Sequence, residues 1–353
     1  MQTPILTETD SSVRNVHDSV TLGELDLALV NALQLRPRAS WAELAGPLAT
    51  TATTLARRWD RMTAAGLAWI TASFGREFSR SRCISYVMIR ADPGTRTGLV
   101  ERLSACPEVA TIEVATGGHD INCDVLTRDL RELDVFLTTK VYGVPGVLSV
   151  SVLLTTSLYL EGSRWRLRSL DPSQLNVLNR STMSSGQGTY AMVLDDLDRS
   201  LLEHLSLDGR LGWAELASLT GASTATARRR VNRLISSGIM TFRCEIAHPL
   251  AGWPIQASLL GVAPGQDLDR IGRELAAWPE CRFVAAVTGT ANLYATFWVR
   301  DLGELQRVEA RTSAVFPTLG VLDRMVALST PKRMGHLCDA EGRRTGTVPI
   351  SPW

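Results

Sequence analysis

Paired cysteines are missing from this chain. The six it has (Cys83, Cys106, Cys123, Cys244, Cys281, Cys338) lie far apart, with no Cys-x-x-Cys. That spacing suits neither a disulfide framework nor a zinc site, and their apolar surroundings fit reduced core thiols. The five histidines (His17, His119, His204, His248, His336) share no spacing that would gather a metal. There is no Ser-His-Asp arrangement and no phosphate-binding loop, so neither catalytic residues nor a cofactor is expected. No run of about 18 apolar residues exists, which leaves no candidate for a membrane-spanning helix. The start of the chain is polar and acidic through Asp10 and lacks the basic-then-apolar order of a signal peptide. An excess of charge is lacking too. The 37 basic and 36 acidic residues leave a net charge of +1, which argues against a generally sticky polycation but not against a local basic patch. A soluble, cytoplasmic protein with no membrane partner is the expectation.

What the chain does have is a long internal repeat, offset by 172 residues. Leu22-Gly-Glu-Leu-Asp26 returns as Leu194-Asp-Asp-Leu-Asp198, and Trp41-Ala-Glu-Leu-Ala45 returns unchanged as Trp213-Ala-Glu-Leu-Ala217. Arg57-Arg58-x-x-Arg61 returns as Arg229-Arg230-x-x-Arg233, and Gly66 as Gly238. Residues 22–70 and 194–242 align without a gap, with 17 identities in 49 pairs. A repeat this long is a whole module rather than a solenoid unit. With 353 residues and 45% apolar content, there is material for two to four packed domains.

Each copy opens with three short helical patterns. In the second copy Leu197, Leu201 and Leu205 make one stripe, and Trp213, Leu216 and Ala217 the next. Gly221 then turns the chain, Ser223 is placed to cap a third helix, and Ala227, Val231 and Leu234 form its buried stripe before Gly238 ends it. The first copy repeats the plan, except that Pro47 should end its second helix early. Helix, helix, tight turn, helix is the helix-turn-helix pattern. The stretches Leu67–Ser73 and Ile239–Ala247 are expected to form a small β-wing or strand.

The second half of each copy alternates strands and helices: Ile84–Ala91, a helix at Thr95–Cys106, Val109–Ala115, Ile121–Leu126, a helix capped at Asp129, and Val147–Thr155. The order βαββαβ is that of a ferredoxin-like domain. The fold class is therefore α+β, with two winged helix-turn-helix and two ferredoxin-like domains in tandem. The boundaries are a flexible leader at 1–18, helix-turn-helix domains at 19–73 and 192–247, βαββαβ domains at 84–160 and 255–330, a linker at 161–191 and a loose tail at 331–353.

Opposite the core stripe of the third helix lie Thr226, Arg229 and Arg233, matched by Thr54, Arg57 and Arg61 in the first copy. All three positions are identical between copies, although the core positions differ. Arginine donors reach phosphates or guanine edges, and threonine can contact a phosphate or a thymine methyl. These six, with Ser223 and Thr224 at the helix start, are the candidate contacts to double-stranded DNA. Arg58 and Arg230 lie nearer the core and suit ion pairs within the fold.

The segment Ser223–Gly238, STATARRRVNRLISSG, resembles the third helix of Lrp/AsnC-type transcription regulators. The loop Thr116-Gly-Gly-His-Asp120, the Asp129 box and Val144-Pro-Gly-Val147 resemble the ligand-sensing domain of that family. The resemblance covers 20–157 and 192–330. It implies a sequence-specific DNA-binding regulator that pairs through its sheets, forms homo-oligomers and responds to an amino acid or similar small molecule. It maps the effector contacts onto Gly117, Gly118 and Asp120. The second copy has Thr290, Ala291 and Asn292 instead, so its site should be altered or lost. The alternative is an enzyme resembling sirohaem decarboxylases, which share the architecture. The Gly-Gly-His-Asp loop lacks the histidine-rich aromatic segment expected of them.

Overall fold

The computed structural model describes residues 21–180 and 194–353. The expected leader at 1–18 and the Ser184–Thr189 run lie outside the described residues. The first helix-turn-helix consists of α1 (Glu24–Leu35), α2 (Trp41–Ala45) and α3 (Ala52–Ala64). Strand β1 (Ala68–Phe74) and a short helix α4 (Arg76–Arg80) lead into β2 (Cys83–Ala91), α5 (Arg96–Ser104), β3 (Val109–Ala115), β4 (Ile121–Thr127), α6 (Leu130–Phe136) and β5 (Val147–Leu160). Helix α7 (Pro172–Arg180) follows. The second copy runs α8 (Asp196–Leu207), α9 (Trp213–Thr220), α10 (Thr224–Ser236), β6 (Met240–Ile246), β7 (Ile255–Val262), α11 (Gly265–Ala276), β8 (Cys281–Val287), β9 (Leu293–Val299), α12 (Leu302–Val315) and β10 (Gly320–Arg333). It ends with β11 (His336–Cys338) and β12 (Arg344–Thr347). Helix α2 stops two residues before Pro47, whereas α9 continues for eight residues to a left-handed Gly221, the difference expected of a proline ring.

The two βαββαβ sheets close on each other. Strand β5 pairs with β2 through its first half and with β8 through its second, and β10 pairs likewise with β7 and then β3. The result is a closed antiparallel ring in the order β3-β4-β2-β5-β8-β9-β7-β10. Alternation decides which side each residue takes. On β2, Val87 and Ile89 pack outward under α5 and α6, while Tyr86 and Met88 point into the ring beside Leu260, Tyr294 and Met325. The ring interior is thus the interface between the two copies.

Of the wing or strand expected after each third helix, the structure has the strand, and its partner comes from the other copy. Strands β1 and β6 pair with each other, Ala68 opposite Ile246 and Phe74 opposite Met240. Each lies against the first helix of the other copy: Gly209 N donates to Ile70 O at 2.8 Å, and the Thr71 hydroxyl donates to Ser206 O at 2.7 Å. A lone two-residue-turn wing has few partners, whereas crossing over buries both faces of each strand.

Two further expectations need correction. Much of the expected linker is packed structure: Trp165, Leu167, Leu170 and Leu178 join the core of the first helix-turn-helix. Backbone amides of Leu167 and Ser169 donate to Gln34 and Asn31, both buried on α1. Pro172, read as a linker signal, is the first residue of α7, where its missing N–H costs nothing, and Asp171 caps that helix. The expected loose tail also folds. It supplies β11 and β12, and Trp353 sets its edge against Phe74 and Phe78 at centroid distances of 5.6 and 6.0 Å. Its glycines and prolines break helical periodicity without preventing short strands.

Candidate nucleic-acid interface and effector loop

The third helices are built alike. Thr51 and Ser223 cap α3 and α10, accepting from the backbone of Thr54 and Thr226 at 3.1 Å each. The Thr54 and Thr226 hydroxyls lie 2.9 Å from those same caps, so both are already engaged at the helix start. Thr224 is exposed on the first turn.

The basic face divides into two kinds of arginine. Asp26, buried on α1, accepts from Arg58 at 3.0 Å and from Arg61 at 2.7 Å. Its counterpart Asp198, fully buried, accepts from Arg230 at 3.2 Å and from Arg233 at 2.7 Å. A buried carboxylate needs such partners, because uncompensated charge in a dry site is expensive. Arg58 and Arg230 were expected to serve the fold, and they do. Arg61 and Arg233, placed on the DNA face from sequence, serve it as well. Their identity in both copies follows from that of Asp26 and Asp198. About 45% of each side chain stays exposed, leaving the outer donors free. Arg57 and Arg229 differ: both are exposed, and among the described residues neither has an ion-pair partner. Nothing inside the fold accounts for them.

The two helix-turn-helix units are clamped reciprocally. The Arg38 guanidinium lies 4.3 Å from the Trp213 ring and donates to the Gly209 and Leu211 carbonyls. Arg210, its repeat mate, lies 4.0 Å from Trp41 and donates to the Pro37 and Ala39 carbonyls at 2.7 and 2.9 Å. Burial lowers the pKa of both guanidiniums. The identical Trp41 and Trp213, read as helix core, are therefore also the anvils of this clamp. The sequence reading singled out the repeated Trp but not the arginines that meet it across copies.

The loop at 116–120 faces the other copy. Thr116 N donates to Val326 O at 2.9 Å and its hydroxyl accepts from Val326 N at 3.0 Å; Thr288 makes the same pair with Leu154. Gly117 (φ 100°) and Gly118 are exposed, and Gly118 N donates to Asp323 at 3.1 Å. Asp120 accepts from Ala91 N at 2.9 Å through one oxygen, and Asn292 does the same for Ala263 N. Asp120 is thus first a clamp on the end of β2, a task an amide performs equally well. His119 is half-buried, its Nδ1 has no partner, and burial lowers its pKa.

The cysteines are free, with Cys106, Cys123, Cys244 and Cys281 buried. Among the described residues no helix is long and apolar enough to cross a membrane, and no cluster of three metal-ligating side chains is present.

Comparison with known proteins agrees with this geometry. The model of the AsnC-type helix-turn-helix domain matches residues 22–63 and 194–235, and that of the Lrp/AsnC ligand binding domain matches 84–165 and 259–337. An HTH-type transcriptional regulator of Pyrococcus horikoshii is 33% identical over 115 residues, which is 32% of this chain and 73% of that protein. The HTH-type transcriptional regulator FL11 of Pyrococcus furiosus is 27% identical over 114 residues, 32% of this chain and 76% of that protein. Among solved structures, the siroheme decarboxylase NirDL covers 88% of this chain and 93% of its own, with a TM-score of 0.58 and 11% identity, a likeness of fold alone.

Proposed function

Because the chain belongs to the Lrp/AsnC family of transcription regulators, we propose that one chain acts as a complete pseudo-dimeric reader of duplex DNA. Helices α3 and α10 present Arg57 and Arg229 as the principal contacts. Arg61, Arg233, Thr224 and the capped Thr54, Ser223 and Thr226 stand beside them as phosphate contacts. The observation that carries this reading is the pair of exposed arginines, without ion-pair partners among the described residues, at matching positions on two units locked by the Arg38 and Arg210 clamps. Such a reader takes a roughly palindromic site with half-sites one helical turn apart, or a multiple of it. Selection of bound genomic fragments, followed by titration at several salt concentrations, tests it. Loss of selective binding in the Arg57→Ala, Arg229→Ala double variant supports it, and wild-type affinity in that variant refutes it.

A small-molecule effector, an amino acid or a relative, is the second part of the proposal. Gly117, Gly118 and the second oxygen of Asp120 form its contacts, with one site per chain. Chains associate further: Leu130 and its repeat mate Leu302 are 61% and 62% exposed, apolar surface that a second chain would cover. The competing reading is an enzyme acting on a tetrapyrrole, favoured by the fold likeness to NirDL over most of both chains. A Soret band after incubation with iron-uroporphyrin, with decarboxylation of that probe, would replace the regulator reading by this one.

A further inference from the structure

A cavity of about 130 Å³ sits in the mouth of the strand ring, under the crossed strands β1 and β6. Its lining is split. One side carries Arg243, Arg282 and Arg333, all more than nine-tenths buried. The repeat mates of these residues are Thr71, Ala110 and Glu161, and the opposite side is formed by Ala110 together with Phe74 and Leu126. The second copy thus supplies the guanidiniums, and the first copy supplies the carboxyls of Glu113, Asp124 and Glu161 beside this apolar patch.

The arginines are not equally satisfied. Arg243 and Arg282 both bond Glu245, at 2.7 and 2.8 Å. Burial opposes ionisation of Glu245, but the arginines outweigh it and bring its pKa down to about 2. Arg333 is 4% exposed, and neither of its terminal nitrogens has a hydrogen-bond partner among the described residues. The other carboxyls around the cavity do not supply one. Glu161 takes the Ser163 hydroxyl at 2.6 Å. Glu113 takes the amide of Gln256, and burial raises its pKa to about 8. Burial likewise raises Asp124 to about 7. Three guanidiniums thus meet Glu245 and Glu161, while burial holds back ionisation of Glu113 and Asp124, so the terminal donors of Arg333 are left unpaired in the cavity. Buried donors of this kind are normally paired.

We propose that this cavity is a second ligand site, in which the free guanidinium of Arg333 binds the carboxylate of a small acid whose apolar body rests on Phe74, Ala110 and Leu126. The site is separate from the 116–120 loop and does not require an ammonium group on the ligand. The planar fork of arginine suits two parallel bonds to a carboxylate, and the volume suits a short branched or cyclic body.

The test uses the full chain, with 3-methylbutanoate as the probe and 3-methylbutanamide as its uncharged counterpart. The acid should raise the thermal midpoint of wild type and of Asp120→Asn alike, and the amide should not. Arg333→Met should weaken the response to the acid about ten- to a hundredfold, as expected for loss of a charged hydrogen-bond pair. Equal responses to acid and amide, or an unchanged response in Arg333→Met, would overturn the proposal. So would a response to inorganic phosphate with none to the acid. A response lost in Asp120→Asn but kept in Arg333→Met would place the ligand on the loop instead. The acid and amide comparison needs no variant, so it stands even if Arg333→Met fails to fold.

Discussion

Stability and DNA affinity should separate between two neighbouring arginines of α10. The Asp198 carboxylate accepts from Arg233 Nη2 at 2.9 and 2.7 Å and from Arg230 Nη1 at 3.2 Å to each oxygen. Stripping a buried charge of its compensation costs about 3–5 kcal/mol. Arg233→Ala removes only one of two arginine partners and leaves the Asp195 amide in place, and water reaches the half-exposed Arg233 head and screens part of its attraction. The cost should therefore be about 1–2 kcal/mol, near that of a single charged hydrogen bond. Arg229→Ala removes no internal partner, so stability should stay within about 0.5 kcal/mol of wild type. On DNA the order reverses. Arg229→Ala should weaken a selected site by about 1–3 kcal/mol if it reads a base, or lower the salt slope by about one unit if it meets a phosphate. Urea unfolding followed by tryptophan fluorescence gives the first quantity, and anisotropy titration across salt concentrations the second. If Arg233→Ala unfolds at the wild-type midpoint, the Asp198 pairing carries no weight and the division of the basic face is wrong.

Other perturbations reach other parts of the chain. Replacing Arg38 and Arg210 together by Ala removes three ring contacts and four carbonyl bonds, and should cost roughly 1–2 kcal/mol per clamp. Faster amide exchange at 208–212 and 37–40, with weaker DNA binding, is the expected signature; unchanged exchange would show the clamp to be idle. Asp120→Asn should fold normally, as Asn292 does in the second copy, yet bind an amino-acid effector about ten- to a hundredfold less well. Asp120→Ala should in addition lose about 1 kcal/mol of stability. Effector affinity untouched in both variants would leave the loop as a turn alone. Glu113 gives a pH test. Unfolded, it releases its proton near 4.5, and folded only near 8, so the native state binds more protons between these values. Stability should fall as pH rises through that window, by a few kcal/mol, and Glu113→Gln should flatten the fall. A rise in urea midpoint from about pH 5 to about pH 8 would contradict the sign. Finally, sedimentation at micromolar concentration should give a species larger than one 38.5 kDa chain.

Much of the architecture was legible because periodicity is a local property. The spacing of Ala227, Val231 and Leu234 marks α10, and alternation marks β3 to the residue. What escaped was non-local. Trp165, Leu167 and Leu170 have no period of their own, and their burial depends on α1 supplying Asn31 and Gln34 as partners. The tail is held by Phe74 and Phe78, more than 270 residues away in sequence, so nothing near Trp353 could announce its position. For the candidate site, identity between copies pointed to the basic face as a whole. It could not distinguish Arg229 from Arg233, because both a groove and a buried Asp198 select for arginine.

Fusion of the two copies changes what symmetry permits. Where a function needs both halves alike, the halves agree: Arg57 and Arg229, Asp26 and Asp198, Arg38 and Arg210, Thr116 and Thr288. In the ring mouth they do not: Arg243 stands against Thr71, Glu245 against Ser73, Arg282 against Ala110 and Arg333 against Glu161. A homodimer of the second copy would gather each of these residues twice about one axis. Three arginines and one glutamate would become six and two in a cavity of about 130 Å³, doubling an excess of charge that burial already makes expensive. A homodimer of the first copy would have no guanidinium there at all. Guanidiniums on one side, facing carboxyls and an apolar patch on the other, are available only to a chain that carries both copies and lets them differ. The proposed cavity site would thus use the departure from twofold symmetry, whereas the proposed DNA face would depend on its preservation.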